Sequence, residues 1–393
     1  MKNRILLTIT LAALSFWLSI NMLRPIFPLF VSDLGAQPAE VGFIVAIPSL
    51  LSIFLRVPLT SGVAKIGRFR FLGIALLINA LSLIFYGLAN SLSLVYMARI
   101  LHSLAIAAFG PVAIASVSLL APIRKKGEVV GTYLTVIAIA IVVGPGLAAI
   151  LLSFIGYSEL FILAAIPTSI FAVIIMFYKN NDNYESPKKV SLRGNIKAIL
   201  SNRNFLLISL SALTYSLALG FFRAFFPLYV EETYLLDAAF VSTLFTVRGL
   251  FNVMIRPLTG KFSSKIGIKK LIISGMIITS FSFIIIFLKL PLYSLFVALA
   301  LSGVGWGMRA VSSVSYIGIA LGEKEQEVGM ALFFNMFDIG VFIGSTSGGI
   351  ISYFIPINVL FGIYSLILLL GGLILVFIES EDKILASIEE IMR

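Results

Sequence analysis

"FLRVPLTSGVAKIGRFRFL", residues 54–72, joins two long apolar runs through a short basic turn. The turn returns at an offset of 200 as "MIRPLTGKFSSKIGIKKLI", residues 254–272. Lys65, Ile66 and Gly67 align with Lys265, Ile266 and Gly267, and Arg56 aligns with Arg256. Upstream, "RPIFPLFV" from Arg24 answers "RAFFPLYV" from Arg223. Downstream, Gly144, Ala148 and Ala149 answer Gly344, Gly348 and Gly349. The chain reads as two copies of one unit of about 200 residues, far longer than a solenoid repeat. It is two similar half-proteins in tandem.

Of the 393 residues, 60% are hydrophobic and only 12% are charged. A soluble domain carries about 25% charged residues. The polar surface is too small to meet water, so the chain belongs in a bilayer. The net charge of +11 sits in short loops between apolar runs, which argues against a nucleic-acid partner. With no cysteine and a single histidine, His102, neither a disulfide framework nor a metal cluster is expected. No stretch carries the phosphate-cradling loop that ends in Lys-Ser/Thr. No catalytic triad, paired carboxylates or haem motif is present either. The sequence points away from an enzyme, from a cofactor and from direct use of ATP.

A membrane-spanning helix needs about 20 mostly apolar residues. Six such runs lie near Leu6–Phe30, Val41–Leu59, Phe71–Ala89, Leu94–Leu119, Val129–Phe154 and Leu160–Phe177. The first is read as a retained span rather than a signal peptide, because it holds Arg24 and Pro25 and lacks a small-residue cleavage site. Six more runs lie near 205–230, 236–258, 271–288, 292–319, 328–350 and 355–378. Pro291 and the glycine-rich "SGVGWG" predict an irregular tenth span. The expected organisation is all-α, with a bundle over 1–178, a linker over 179–204 and a bundle over 205–393. "IKAILSN" inside the linker suits a short surface helix, and the charged tail from Glu379 suits a fraying one.

Lysine and arginine set the orientation. Lys65, Arg68 and Arg70, then Arg124, Lys125 and Lys126, fall on one side with the linker and with Lys261, Lys265, Lys269 and Lys270. Asp33, Glu40, Glu159, Glu231, Glu232 and Asp237 fall on the other, where only Lys289 is basic. Both termini are therefore expected on the cytoplasmic side of a cell membrane.

Twelve spans in two similar halves with a basic linker resemble the major facilitator superfamily along nearly the whole chain. That family's turn between spans two and three reads Gly-x-x-x-Asp-Arg/Lys-x-Gly-Arg-Arg/Lys. Here Thr60 and Ala64 stand at its first Gly and its Asp, followed by Lys65, Gly67 and Arg68. The second copy has Gly260, Ser264, Lys265 and Gly267. The acid is missing from both copies. Arg99 resembles the arginine of the family's Arg-x-x-Gln-Gly pattern, with His102 and Ser103 at the last two positions. "GPGLAA", from Gly144 and Pro145, resembles the Gly-Pro-x-x-Gly-Gly motif of proton-driven exporters. The resemblance implies two bundles, each an inverted repeat, with substrate between them and access that alternates. The partners expected are membrane lipid, a small-molecule substrate and protons, for a chain acting as a monomer.

Charged groups at membrane depth face a cavity or a partner. Asp338 is the one acid deep in a span, read as a proton-coupling carboxylate or as half of a fixed ion pair with Arg248 or Arg309. His102 is a second proton candidate or a core histidine. Arg248 and Arg309 are candidate anion ligands or structural caps. Asn21, Trp17, Trp306 and Asn335 are candidate cavity-lining groups. Arg24 and Arg223, at equivalent outer positions, read as gating or snorkelling groups. Gly144, Gly344, Gly348 and Gly349 read first as helix-packing positions. Two functions stand: proton-driven export of small apolar compounds, or uptake and exchange of an organic anion held by buried arginines.

Overall fold

The repeated turn folds around one glycine in each copy. Gly67 has φ 84° and ψ 151°, and Gly267 has φ 93° and ψ 139°. Only glycine takes this backbone region without strain. In this computed structural model, which describes residues 2–178, 192–322 and 325–381, helix follows directly on both sides of each glycine. There is no loop of several residues. One glycine reverses the chain.

The first half holds α1 (Lys2–Asp33), α2 (Pro38–Ser61), the short α3 (Val63–Ile66), α4 (Arg68–Gly87), α5 (Leu92–Leu120), α6 (Lys126–Leu152) and α7 (Tyr157–Met176). The amphipathic α8 (Leu192–Ser201) is the short helix expected from "IKAILSN", with Lys197 and Leu200 exposed. The second half holds α9 (Arg203–Tyr234), α10 (Ala238–Ile266), α11 (Ile268–Phe287), α12 (Tyr293–Ala320), α13 (Gln326–Ile351) and α14 (Ile357–Ile374). Twelve of these helices are long and apolar enough to cross a membrane. Their outward residues, among them Leu7, Phe54, Leu81, Ile166, Phe281 and Leu366, are exposed apolar side chains suited to lipid.

Two corrections to the sequence reading follow. α1 and α9 are each 32 residues, or about 48 Å at 1.5 Å per residue, so both outrun the apolar core. The tenth span is continuous: α12 is helical through "SGVGWG". Its glycines serve packing instead of bending. A Cβ on Gly303 would strike the Arg248 carbonyl, and one on Gly307 would meet Ile255 and the Asn252 carbonyl, so this side of α12 lies against α10. Gly305 is tight against Thr279 and the Gly275 carbonyl, so the other side lies against α11. Small residues let backbones approach where the hydrophobic effect gives helices little reason to associate.

By Cα proximity the chain divides into two compact units, Met1–Lys188 with Val230–Thr246, and Lys189–Tyr229 with Val247–Arg393. Within the first, α4 packs on α5 and α7, α2 on α5, and α1 on α6. Within the second, α11 packs on α12 and α14, and α9 meets α13 at Gly344 and through Ser345 Oγ, which donates to the Gly220 carbonyl at 3.0 Å. The pairing scheme is the same in both, as the sequence repeat requires. One core centres on Phe16, Leu72, Phe109 and Tyr133, the other on Phe205, Ile272, Tyr316 and Leu375.

Of the charged tail, the structure describes residues 379–381. Glu381 is only 9% exposed, and its carboxylate accepts from the amides of Ile268 and Lys269. Lys269 Nζ answers by donating to the carbonyls of Val376 and Ile378 at 2.8 and 2.7 Å. The rest of the tail, and the linker over 179–191, lie outside the described residues.

Candidate transport site

In the first unit, proline chemistry places the arginine at membrane depth. Pro48 interrupts α2 without an amide, which leaves the carbonyl four residues earlier free. That carbonyl belongs to Ile44, and Arg99 on α5 donates to it through Nε at 2.9 Å. Arg99 Nη2 reaches the neighbouring Val45 carbonyl at 3.1 Å, and the guanidinium lies 4.1 Å from the Phe27 ring centroid. A buried cation is tolerable here because backbone and an aromatic face surround it.

His102 lies one turn further along α5 and is 2% exposed. Its Nδ1 is 3.5 Å from the Tyr86 hydroxyl, and its Nε2 has no hydrogen-bond partner. On α1, Asn21 Nδ2 donates to the Trp17 carbonyl at 2.7 Å, and Arg24 Nη1 donates to Asn21 Oδ1 at 2.8 Å. A Cβ on Gly144 would lie 2.7 Å from Asn21 Cβ, so α6 presses on α1 beside Pro145. The structure thus groups Trp17, Asn21, Arg24 and Gly144. The Trp17 indole N–H lies beside the Tyr133 hydroxyl on α6.

The second unit gathers its polar groups around Tyr215 on α9. Trp306 stacks on that ring at 5.2 Å with 24° between planes, and Phe337 lies 5.7 Å from Trp306. The Arg309 guanidinium is 4.4 Å from the Tyr215 centroid and 5.8 Å from that of Phe337. Arg309 is 2% exposed, and its Nε and Nη2 have no hydrogen-bond partner. Arg248 is held differently: Nε donates to Ser302 Oγ at 3.0 Å, and the guanidinium is 5.0 Å from Phe222. Tyr215, Phe222, Arg248, Thr279, Phe283 and Ser302 border one narrow crevice.

Asp338 and Asn335 lie half-buried on α13, on either side of Phe337. Arg223 is half-buried on α9, as Arg24 is on α1. Lys65 and Lys265 are exposed beside Gly67 and Gly267, while Arg68 is 6% exposed at the start of α4. Gly344 abuts the Leu217 backbone, and Gly348 abuts Phe221 and Phe225. Gly349 lies on the same helix.

Sequence reasoning missed Tyr215, Phe337, Ser302 and Glu381. Tyr215 and Phe337 are two among forty-six Phe and Tyr residues, thirty-three and thirteen respectively, and nothing local distinguishes them. Ser302 did have a signal, as the first residue of "SGVGWG".

Twelve membrane-length helices, with arginines and aromatic walls set within them, describe a multi-pass membrane protein. The chain belongs to the Major Facilitator Superfamily, whose sequence profile matches residues 9–243 and 208–390. It is a secondary transporter that works by alternating access, built as an all-α fold of two helical bundles. It is 23% identical to an uncharacterised MFS-type transporter of Methanocaldococcus jannaschii, across 85% of this chain and 88% of that one. Multidrug resistance protein 2 of Bacillus subtilis is 22% identical, across 72% and 74% of the two chains. Among solved structures, a bacterial homolog of the human lysosomal transporter Spinster, inward-facing and unoccupied, superposes with a TM-score of 0.75 at 13% identity, covering 95% of each chain.

Proposed function

We propose that this carrier exports small, largely apolar organic molecules in exchange for protons. The observation that carries the reading is the placement of Asp338. It follows directly on Phe337 of the aromatic wall and is the one acid deep in a span. Aromatic side chains offer a small apolar cargo contact area, and a carboxylate on the same helix at membrane depth can bind a proton in one access state and release it in the other. Its likeness to multidrug resistance proteins 1 and 2 of Bacillus subtilis, at 23% and 22% identity, supports export of such molecules. Arg24 and Arg223 would close the outer side, and both termini would lie in the cytoplasm.

Proteoliposomes with an imposed pH gradient test this. Asp338→Asn is expected to abolish gradient-driven accumulation while substrate counterflow continues. Full accumulation by the variant would remove Asp338 as the coupling group. A wild type indifferent to the gradient would remove proton coupling itself.

A further inference from the structure

We propose that Arg309 is the anion-binding residue of this carrier and that its ligand is a small, flat, aromatic carboxylate. The proposal rests on the reading of the chain as a carrier of small organic molecules, and it names their class.

Three arginines within the spans can be compared, of which Arg309 is the most buried. Arg99 and Arg309 each present the same guanidinium edge, formed by Nε and Nη2. In Arg99 both groups of that edge donate to backbone carbonyls, of Ile44 and Val45. In Arg248, Nε is engaged by Ser302. In Arg309 neither group of the edge has a hydrogen-bond partner, although the residue is 2% exposed. A buried cation whose donor edge is unpaired is costly, because those N–H groups lose water and gain no acceptor. The empty edge carries two parallel N–H groups. That is the geometry that receives both oxygens of a carboxylate.

The surroundings select what is attached to the carboxylate. Tyr215 on α9, Trp306 on α12 and Phe337 on α13 form the wall at the guanidinium. Gly303, Gly305 and Gly307 fix α12 against α10 and α11, which holds Trp306 and Arg309 in place one turn apart. Flat rings stack on such a wall, whereas an inorganic anion would use the edge and gain nothing from the rings.

In a Trp17→Phe background Trp306 is the one remaining tryptophan and reports on the site. Purified full-length protein is titrated with benzoate, benzamide, cyclohexanecarboxylate and acetate. We expect saturable change in Trp306 fluorescence with benzoate, several-fold weaker binding of cyclohexanecarboxylate and no binding of benzamide or acetate. Arg309→Lys should weaken benzoate binding roughly 10-fold to 100-fold, and Arg309→Met should abolish it. Without ligand, Arg309→Met should unfold at or above the wild-type temperature, because it removes an unsatisfied buried charge. A lower unfolding temperature would show a structural guanidinium and overturn the proposal. An equal response to benzoate and benzamide, or a response to neither, would overturn it as well. Gradient-driven flux of a neutral dye is measured in parallel. Flux that persists while benzoate fails to bind sinks this proposal and leaves the carrier reading intact. Arg309-dependent benzoate binding without any flux sustains the site and sinks the exporter reading instead.

Discussion

Arg99 donates through Nε to the Ile44 carbonyl at 2.9 Å, and this is the carbonyl that Pro48 leaves without an amide partner in α2. A kink-forming residue on one helix and a cation on another thus cancel each other's defects. Arg99→Met leaves that carbonyl unsatisfied and should destabilise the fold by about 1–3 kcal/mol. Pro48→Ala restores the amide and should recover part of the loss in the double variant. A double-mutant cycle on thermal or denaturant unfolding in detergent measures it. Strict additivity would refute the coupling.

Glu381 sits at the N-terminus of α11, where four helix amides lack intrahelical partners. Its charge suits the positive end of the helix. Glu381→Ala should cost about 1–2 kcal/mol. Lys269→Met should cost less, because it removes only the ammonium bonds to Val376 and Ile378. Unfolding midpoints for the two variants, compared under one detergent, check both the size and the order.

Gly67 and Gly267 share a backbone conformation. Alanine at either forces a side chain into a glycine region, at about 1–3 kcal/mol. At Gly267 the new Cβ would also lie 2.8 Å from Glu381 Oε1. Gly267→Ala should therefore cost more in the presence of Glu381 than in a Glu381→Ala background. Unfolding midpoints of the wild type, the two single variants and the double variant measure that difference.

The distribution of lysine and arginine predicts which helix ends face inward. The chain has no cysteine, so single cysteines report cleanly. In intact cells, Ser264→Cys near the end of α10 should resist membrane-impermeant maleimide, and Ser158→Cys at the start of α7 should react. The opposite pattern would invert the topology.

Much of the architecture was legible because lipid imposes a simple rule. Each span must satisfy its own backbone and show apolar side chains outward, so twelve long apolar runs became twelve helices. The repeat was legible for a similar reason: Lys-Ile-Gly at one offset marks two places where glycine must reverse the chain. The glycines of α12 misled, because small residues that would break a helix in water serve close packing in a membrane protein. The first candidate site was partly legible too. Trp17, Asn21 and Arg24 are on one helix at spacings of four and three, and hydrogen bonds link them along it.

By itself the sequence determined the class of fold, the number of spans, the repeat and the residues at membrane depth. These follow from hydropathy, charge and glycine, which are properties of short stretches. Tertiary structure decided which buried arginine is satisfied. Arg99, Arg248 and Arg309 look alike as cations within apolar runs, and they differ only in what neighbouring helices bring within 3 Å. It also decided that Glu381 belongs to the repeated turn, where a carboxylate from beyond α14 reaches the amides that follow Gly267. Hydrogen bonds act over single contacts between helices distant in the chain, and no local pattern in the sequence encodes which of those contacts form.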